Sequence, residues 1–262
     1  PVTIMEPILS FVQTSTRITV VIPVFNNGEI LIPSYHRLVA FFKDHVNDFG
    51  LLIVNDGSTD KSRFILDNLA KSDRRLQIIH LDRNRGQQVA LGAGLEMVTT
   101  GAAVTTDIDL PVDLGDLLAL IKKMDDGYDL VLGKRDKTHH VLSYRKWGSI
   151  FVNLLVKALF HQRITDFGCS CGAISARLLH RFRTENLPRW SMKLTLVLLA
   201  DRFCEIPVHA IRQNGTKSSY SLRKLMLLAL SIILYRFLKA KPKTFNLKEI
   251  PRIESNKLSD SK

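Results

Sequence analysis

Between residues 18 and 132 the sequence alternates short apolar runs with stretches long enough for one helix each, and this rhythm limits the folds open to it. The run 18–25, Ile-Thr-Val-Val-Ile-Pro-Val-Phe, has the near-continuous apolar character of a strand covered on both faces in a parallel sheet. Pro23 lacks an N–H, which predicts that this strand stops there. Further strands are predicted at 51–54, 76–81, 102–106 and 130–132, with helices at 30–46, 61–69, 87–98 and 114–124. Ala90, Ala93, Gly94 and Met97 fall on one side of the third helix, a face small enough to lie close on a sheet. Ser58, Thr59 or Asp60 is placed to cap the second helix. Strands alternating with helices give an α/β fold with an open sheet, and ligands of such sheets bind beyond the carboxyl ends of the strands. The polar residues after the first four strands, Asn26, Asp56, Asn84, Asp107 and Asp109, should therefore converge on one crevice.

Asp107 and Asp109 stand one residue apart at the end of the apolar run Ala102, Ala103, Val104. On a strand they would share a face while Ile108 entered the core. Their hard oxygens suit Mg²⁺ or Mn²⁺, which take one or two protein carboxylates and complete the shell with water and substrate phosphates. Taken alone, the pattern also describes two solvated acids in a turn.

Composition narrows the functional classes. A chain of 262 residues with 45% hydrophobic content can bury one large domain, with or without a small appendage. Three cysteines, Cys169, Cys171 and Cys204, make neither a disulfide framework nor a good zinc site. They read as packing residues in a reducing compartment. No Gly-x-Gly-x-x-Gly follows the first strand and no phosphate-loop signature occurs, which removes dinucleotide oxidoreductases and phosphate-loop ATPases. The start of the sequence lacks a basic segment followed by an apolar block, so no signal peptide is expected. The longest apolar run, 225–235, is shorter than the roughly 20 residues of a membrane-spanning helix.

Charge is unevenly placed. Residues 1–133 carry 12 Lys and Arg against 17 Asp and Glu, whereas residues 134–262 carry 25 against 8. Two different partners follow from such a split. The basic half lacks an aromatic-basic stacking motif or recognition helix, so nucleic acid is not expected and an anionic membrane surface is.

Four ordered motifs carry a specific likeness: Ile22-Pro23-Val24-Phe25-Asn26, Val54-Asn55-Asp56-Gly57-Ser58-Thr59-Asp60, Asn84-Arg85-Gly86 and Asp107-Ile108-Asp109-Leu110. With them the chain resembles the family 2 glycosyltransferases of the GT-A fold, an open mixed, mostly parallel sheet flanked by helices. The likeness continues through Gly133-Lys134-Arg135, Thr165-Asp166-Phe167-Gly168-Cys169, Glu205-Ile206-Pro207-Val208, Arg212-Gln213-Asn214-Gly215 and Ser219-Tyr220-Ser221, over about residues 17–238. These later blocks look like the polyprenyl-phosphate sugar synthases, the dolichyl-phosphate mannose synthase group and its undecaprenyl-phosphate relatives.

The resemblance implies roles. Pro23, Phe25, Asn26, Asp56, Asn84 and Gly86 would bind the nucleotide of a UDP or GDP sugar, and Asp107 would face ribose and metal. Asp109 would be the main ligand of a Mg or Mn divalent cation. Arg135, Arg212 and Ser219 would address phosphates or the acceptor, and Asp166 would lie near the transferred sugar. An acceptor phosphate is already anionic and needs positioning, whereas a hydroxyl acceptor needs a base, for which Asp166 is the candidate. In-line attack by a single acceptor predicts inversion. The sequence departs from its relatives at Pro111, where many carry Gln, and at Cys171-Gly172-Ala173, where the common pattern is bulkier.

The expected organisation is an N-terminal extension at 1–16, a GT-A domain at 17–220, a basic interfacial helix region at 221–245 and a polar tail at 246–262. Helices are predicted at 144–160 and 221–238, the second with an apolar centre between clusters of Lys and Arg. No acidic residue occurs from Ile206 to Lys248, which suits a helix lying on anionic headgroups. The expected activity is inverting, metal-dependent sugar transfer to a polyprenyl phosphate by a cytoplasmic protein held peripherally at the membrane face. The alternatives are a glycan or lipid hydroxyl acceptor, or a non-catalytic nucleotide-sugar-binding or scaffold protein of the same fold. A nucleotidyltransferase would need a Gly-rich signature near the first strand that is missing here.

Overall fold

The computed structural model describes Thr14 and residues 16–135, 164–166, 168–185 and 191–211. Arg212, Ser219, the predicted helices at 144–160 and 221–238, and the tail lie outside the described residues. The described elements are β1 (Ile18–Val24), α1 (Gly28–His45), β2 (Phe49–Asn55), α2 (Ser62–Ser72), β3 (Leu76–His80), α3 (Gln87–Met97) and β4 (Ala102–Thr105). They continue with α4 (Leu114–Asp125), β5 (Leu130–Arg135), β6 (Gly172–Ile174), α5 (Ala176–Thr184), α6 (Met192–Leu199) and β7 (Phe203–Val208).

The strands form one sheet in the order β3-β2-β1-β4-β6-β5-β7, in which β6 runs antiparallel to both neighbours and the other described pairings are parallel. Alternate side chains along β1 and β2 feed two cores. Ile18, Val20, Ile22, Leu51 and Ile53 meet Leu38, Phe42, Leu66 and Leu117 from α1, α2 and α4. Val21, Leu52 and Val54 meet Ala90, Leu95, Leu178, Phe182 and Val197 from α3, α5 and α6. Gly94 permits the close approach of α3, since a β-carbon there would lie 2.5 Å from Val21 Cγ1 and 3.1 Å from Val54 Cγ2. Among the described residues no helix is long and apolar enough to cross a membrane.

Two sequence expectations need correction. Strand β1 does not stop at Pro23 but pairs with β2 through Val24. Residues of β1 alternate between neighbours, with Val24 O accepting from Asp56 N on the β2 side and Val21 O from Thr106 N on the β4 side. Pro23 has the phase of Val21, and the β1–β4 ladder ends at Val21 opposite Thr105, so its missing N–H interrupts no ladder. The acidic pair also does not extend β4, which ends at Thr105. Leu110 N donates to Asp107 O at 3.1 Å, and Leu110 takes a left-handed conformation at φ 49°. The acids thus occupy a turn, in which Ile108 and Leu110 are nevertheless 2% and 3% exposed and anchored in the core.

Candidate active site

Three loops at the carboxyl ends of β1, β2 and β3 are bound together through side chains of the predicted nucleotide site. Asn26, exposed and left-handed at φ 54°, accepts from Thr59 N on Oδ1 at 2.9 Å, and its own N–H donates to Ser58 Oγ at 3.0 Å. Asp60 accepts from Ser62 N at 2.9 Å on Oδ1 and from Gly28 N at 2.9 Å on Oδ2, joining the starts of α2 and α1. Its negative charge meets two helix N-termini, a favourable placement. Burial opposes ionisation of Asp60, but the hydrogen bonds from Ser62 and Gly28 prevail and hold its carboxyl below the usual value.

Asp56 is buried, and its oxygens accept from Arg85 N at 2.7 Å and Gly86 N at 2.9 Å. It therefore shapes the β3–α3 loop. Burial pushes its carboxyl up, although both backbone bonds favour the charged form. Gly57 makes the crossing of these loops possible: at φ 63° a β-carbon would stand 2.2 Å from the Arg83 carbonyl carbon. Gly86, at φ 94°, caps α3, while Asn84 is exposed beside it. Phe25 presents a ring that is 42% exposed at the end of β1, next to half-buried Pro23.

The acidic turn meets the start of α3. Asp107 accepts from Gln87 Nε2 on Oδ1 at 2.6 Å and from Ser170 Oγ on Oδ2 at 2.7 Å. Burial pushes the Asp107 carboxyl up. Asp109 is raised too, by burial first and then by the charge of Asp107. Two neighbouring carboxylates, one of them oriented by neutral donors, are a donor set that fits a hard divalent cation sharing its shell with substrate phosphates.

On the other side of β4, Arg135 and Asp166 form a two-point pair. Nε donates to Oδ2 at 2.9 Å and Nη2 to Oδ1 at 3.0 Å, while Arg135 N and Gly168 N add bonds of 3.1 Å and 2.9 Å. Burial would raise the Asp166 carboxyl, but Arg135 and Lys193 outweigh it and hold it below the ordinary range. The Arg135 charge also favours the ionised form of Asp107, though less than burial opposes it.

The sequence reading missed several supports of this arrangement. Gln87 and Ser170 orient Asp107. Lys193 Nζ donates to the Asp166 and Cys169 carbonyls, each at 2.7 Å, and burial lowers its pKa. Glu205 accepts from Thr165 N at 2.8 Å and Asp166 N at 3.2 Å. A lone Lys in the apolar octet of α6 and a lone acid in strand β7 were the available signals. Cys169 and Cys171 are buried, as packing residues should be. His209 has an exposed side chain against Asp116, with Nδ1 and Oδ1 3.0 Å apart. The chain beyond β7 then runs beside the acidic turn, with Val112 bridged to Ala210 and Ile211 N donating to Pro111 O at 2.9 Å.

Among solved structures, glucosyl-3-phosphoglycerate synthase from Mycobacterium tuberculosis, in complex with Mn²⁺, uridine diphosphate and glucosyl-3-phosphoglycerate, has a TM-score of 0.59 at 17% identity over 87% of this chain and 80% of that one. A mannosyltransferase from Pyrobaculum calidifontis in complex with GDP-Man and Mn²⁺ has a TM-score of 0.54 at 18% identity, over 86% of this chain and 64% of that one. These likenesses show a shared fold. In sequence, the undecaprenyl-phosphate 4-deoxy-4-formamido-L-arabinose transferase of Enterobacter sp. (strain 638) is 29% identical over 85% of this chain and 68% of its own length. The protein of the same description from Pseudomonas fluorescens (strain SBW25) is 29% identical over 82% of this chain and 63% of its own length. The family model described as glycosyl transferase family 2 matches residues 19–187, more than half of the sequence, and the chain belongs to that family.

Proposed function

We propose that this glycosyltransferase moves a sugar from a UDP or GDP donor to a polyprenyl phosphate, with inversion, while held peripherally at the cytoplasmic face of a membrane. The observation that carries this reading is the Arg135–Asp166 pair. A hydroxyl acceptor needs a base that takes up its proton. Asp166 is the candidate base on that side, yet its lowered pKa makes it a weak one and both its oxygens are engaged by Arg135 and Gly168. A phosphate acceptor brings its own negative oxygen and needs orientation and charge neutralisation instead. With Nε and one Nη2 hydrogen committed to Asp166, three N–H groups of the guanidinium make no bond among the described residues and could serve a phosphate. The sequence likeness to two undecaprenyl-phosphate sugar transferases supports the same acceptor class.

On the donor side, Pro23, Phe25, Asn26, Asp56, Asn84 and Gly86 would enclose the base and ribose, with the Phe25 ring as an apolar wall. Asp109 and Asp107 would hold Mg²⁺ or Mn²⁺, which supplies Lewis-acid neutralisation of the leaving diphosphate. Arg212 and Ser219 would complete the phosphate contacts.

The test is transfer of radiolabelled sugar from a panel of UDP and GDP sugars to undecaprenyl phosphate in vesicles containing anionic lipid, with Mn²⁺ present. A lipid-linked, acid-labile product is the expected result. Label passing only to a hydroxyl-bearing glycan or lipid would overturn the acceptor assignment.

A further inference from the structure

Lys193 is the one charged residue of helix α6, whose other residues are Met, Thr, Leu and Val. Among the described residues its ammonium does not pair directly with a carboxylate in the way Arg135 does. Two of its N–H groups go to main-chain carbonyls, those of Asp166 and Cys169, both at 2.7 Å. From the opposite side Glu205 accepts from the main-chain N–H groups of Thr165 and Asp166 and from Thr165 Oγ1. One half-buried cation and one carboxylate thus hold main-chain groups of Thr165, Asp166 and Cys169.

That stretch has a function at each end. At one end Asp166 forks the Arg135 guanidinium. At the other end Ser170 Oγ donates to Asp107 Oδ2 at 2.7 Å, while Ser170 O accepts from Thr105 Oγ1 at 2.7 Å, at the end of β4. Met or Leu would fill this place in α6 without the desolvation cost that this ammonium carries. What the cation adds is a fixed geometry for two carbonyls that an apolar side chain cannot hold.

We infer that Lys193 is a positioning residue for the transfer, fixing the Arg135–Asp166 pair and the Asp107 carboxylate at one separation through its hold on the carbonyls of Asp166 and of Cys169, the neighbour of Ser170. Acceptor phosphate and donor diphosphate must meet at a set distance, and misplacement by about 1 Å can cost on the order of 100-fold in rate. The inference rests on the function proposed above.

The test compares Lys193→Met, Lys193→Arg and Ser170→Ala in the full chain. Two quantities are read: Mn²⁺ affinity in the presence of UDP, from the electron paramagnetic resonance of free Mn²⁺, and KM and kcat for undecaprenyl phosphate. Lys193→Met should weaken Mn²⁺ binding and raise the acceptor KM, each about 10-fold, the scale on which supports of metal ligands act. Lys193→Arg should recover part of both. Ser170→Ala cuts only the donor-side link, so it should weaken Mn²⁺ binding while the acceptor KM stays put. A folded Lys193→Met with both quantities intact would overturn the inference, and so would Ser170→Ala with unchanged Mn²⁺ affinity, which decides the matter should Lys193→Met fail to fold. A wild type that binds Mn²⁺ with UDP but transfers nothing to undecaprenyl phosphate would instead sink the functional proposal, leaving the Mn²⁺ measurements to judge Lys193.

Discussion

Gly168 and Arg135 fit together only because no β-carbon stands between them. One built at Gly168 would lie 2.4 Å from Arg135 Nη2 and 3.4 Å from Asp166 Oδ1. Gly168→Ala should therefore displace the guanidinium from its carboxylate. The position is exposed, so stability should move by only about 0.5 kcal/mol. The acceptor KM should rise about 10-fold, the scale of losing one charge-assisted hydrogen bond. Steady-state kinetics with varied undecaprenyl phosphate, beside a melting curve, checks both. An unchanged KM would show that the fork does not touch the acceptor.

Asp166 supplies a pH test of its role. Burial raises its carboxyl, yet the Arg135 bonds and charge lower it further, and the net direction is down. For a carboxylate depressed on folding, the stabilisation is present above its ordinary pKa of 3.8 and disappears as pH falls through the lowered folded value. Asp166 therefore stays ionised across the neutral range, and the rate should show no acid limb from it there. Asp166→Asn should raise the acceptor KM more than it lowers kcat. A fall in kcat on the order of 10⁴-fold at constant KM would identify a base instead.

Asp109→Asn keeps the shape of the side chain and removes its charge. Turnover should drop at least about 100-fold, as expected when electrostatic stabilisation of a leaving group is lost. The variant should melt close to wild type without ligand, but should lose the rise in Tm that UDP and Mn²⁺ together give to the wild type through preferential binding to the folded state. A variant with full turnover would remove Asp109 from the site.

A stability prediction comes from the far edge of the sheet. Asp73 accepts from Tyr35 Oη at 2.5 Å and takes a two-point contact from Arg75 at 3.0 and 2.9 Å. The Arg75 bonds pull its carboxyl from 3.8 to about 2. With 13% of the side chain exposed, this corresponds to about 2 kcal/mol of folding stability at neutral pH. Asp73→Asn should lose that amount at pH 7. The gap between variant and wild type should narrow as pH falls from 3.8 towards about 2, where protonation removes the same contribution from the wild type. Urea unfolding at stepped pH measures it, and a constant gap would contradict the assignment.

The front half of the fold was legible because its signals are local. The apolar runs of β1 and β2 are almost wholly buried and feed both cores, and Asp60 stands just before Lys61, which takes the cap position of α2, and accepts from Ser62 N. The small face of α3 was also readable, although Gly92 and Leu95 join Ala90 and Gly94 in its buried set. The back half depends on distant partners. Strand β6 is three residues long and exists because β4 and β5 bracket it, and the last three residues of β5, Gly133, Lys134 and Arg135, are held by β7. Likewise Asp166 is expected near the transferred sugar, but its pairing with Arg135 is not legible, since the guanidinium comes from 31 residues earlier. The roles of Lys193 and Glu205 rest on main-chain partners, which side-chain patterns in a sequence do not record.

The left-handed turn at Leu110 has a further consequence. By alternating Asp107 and Asp109 with Ile108 and Leu110, it fastens each acid to a neighbour sunk in the interior. A cation bound there as proposed would meet carboxylates whose backbone is already set, and little of its binding energy would go into rearranging them.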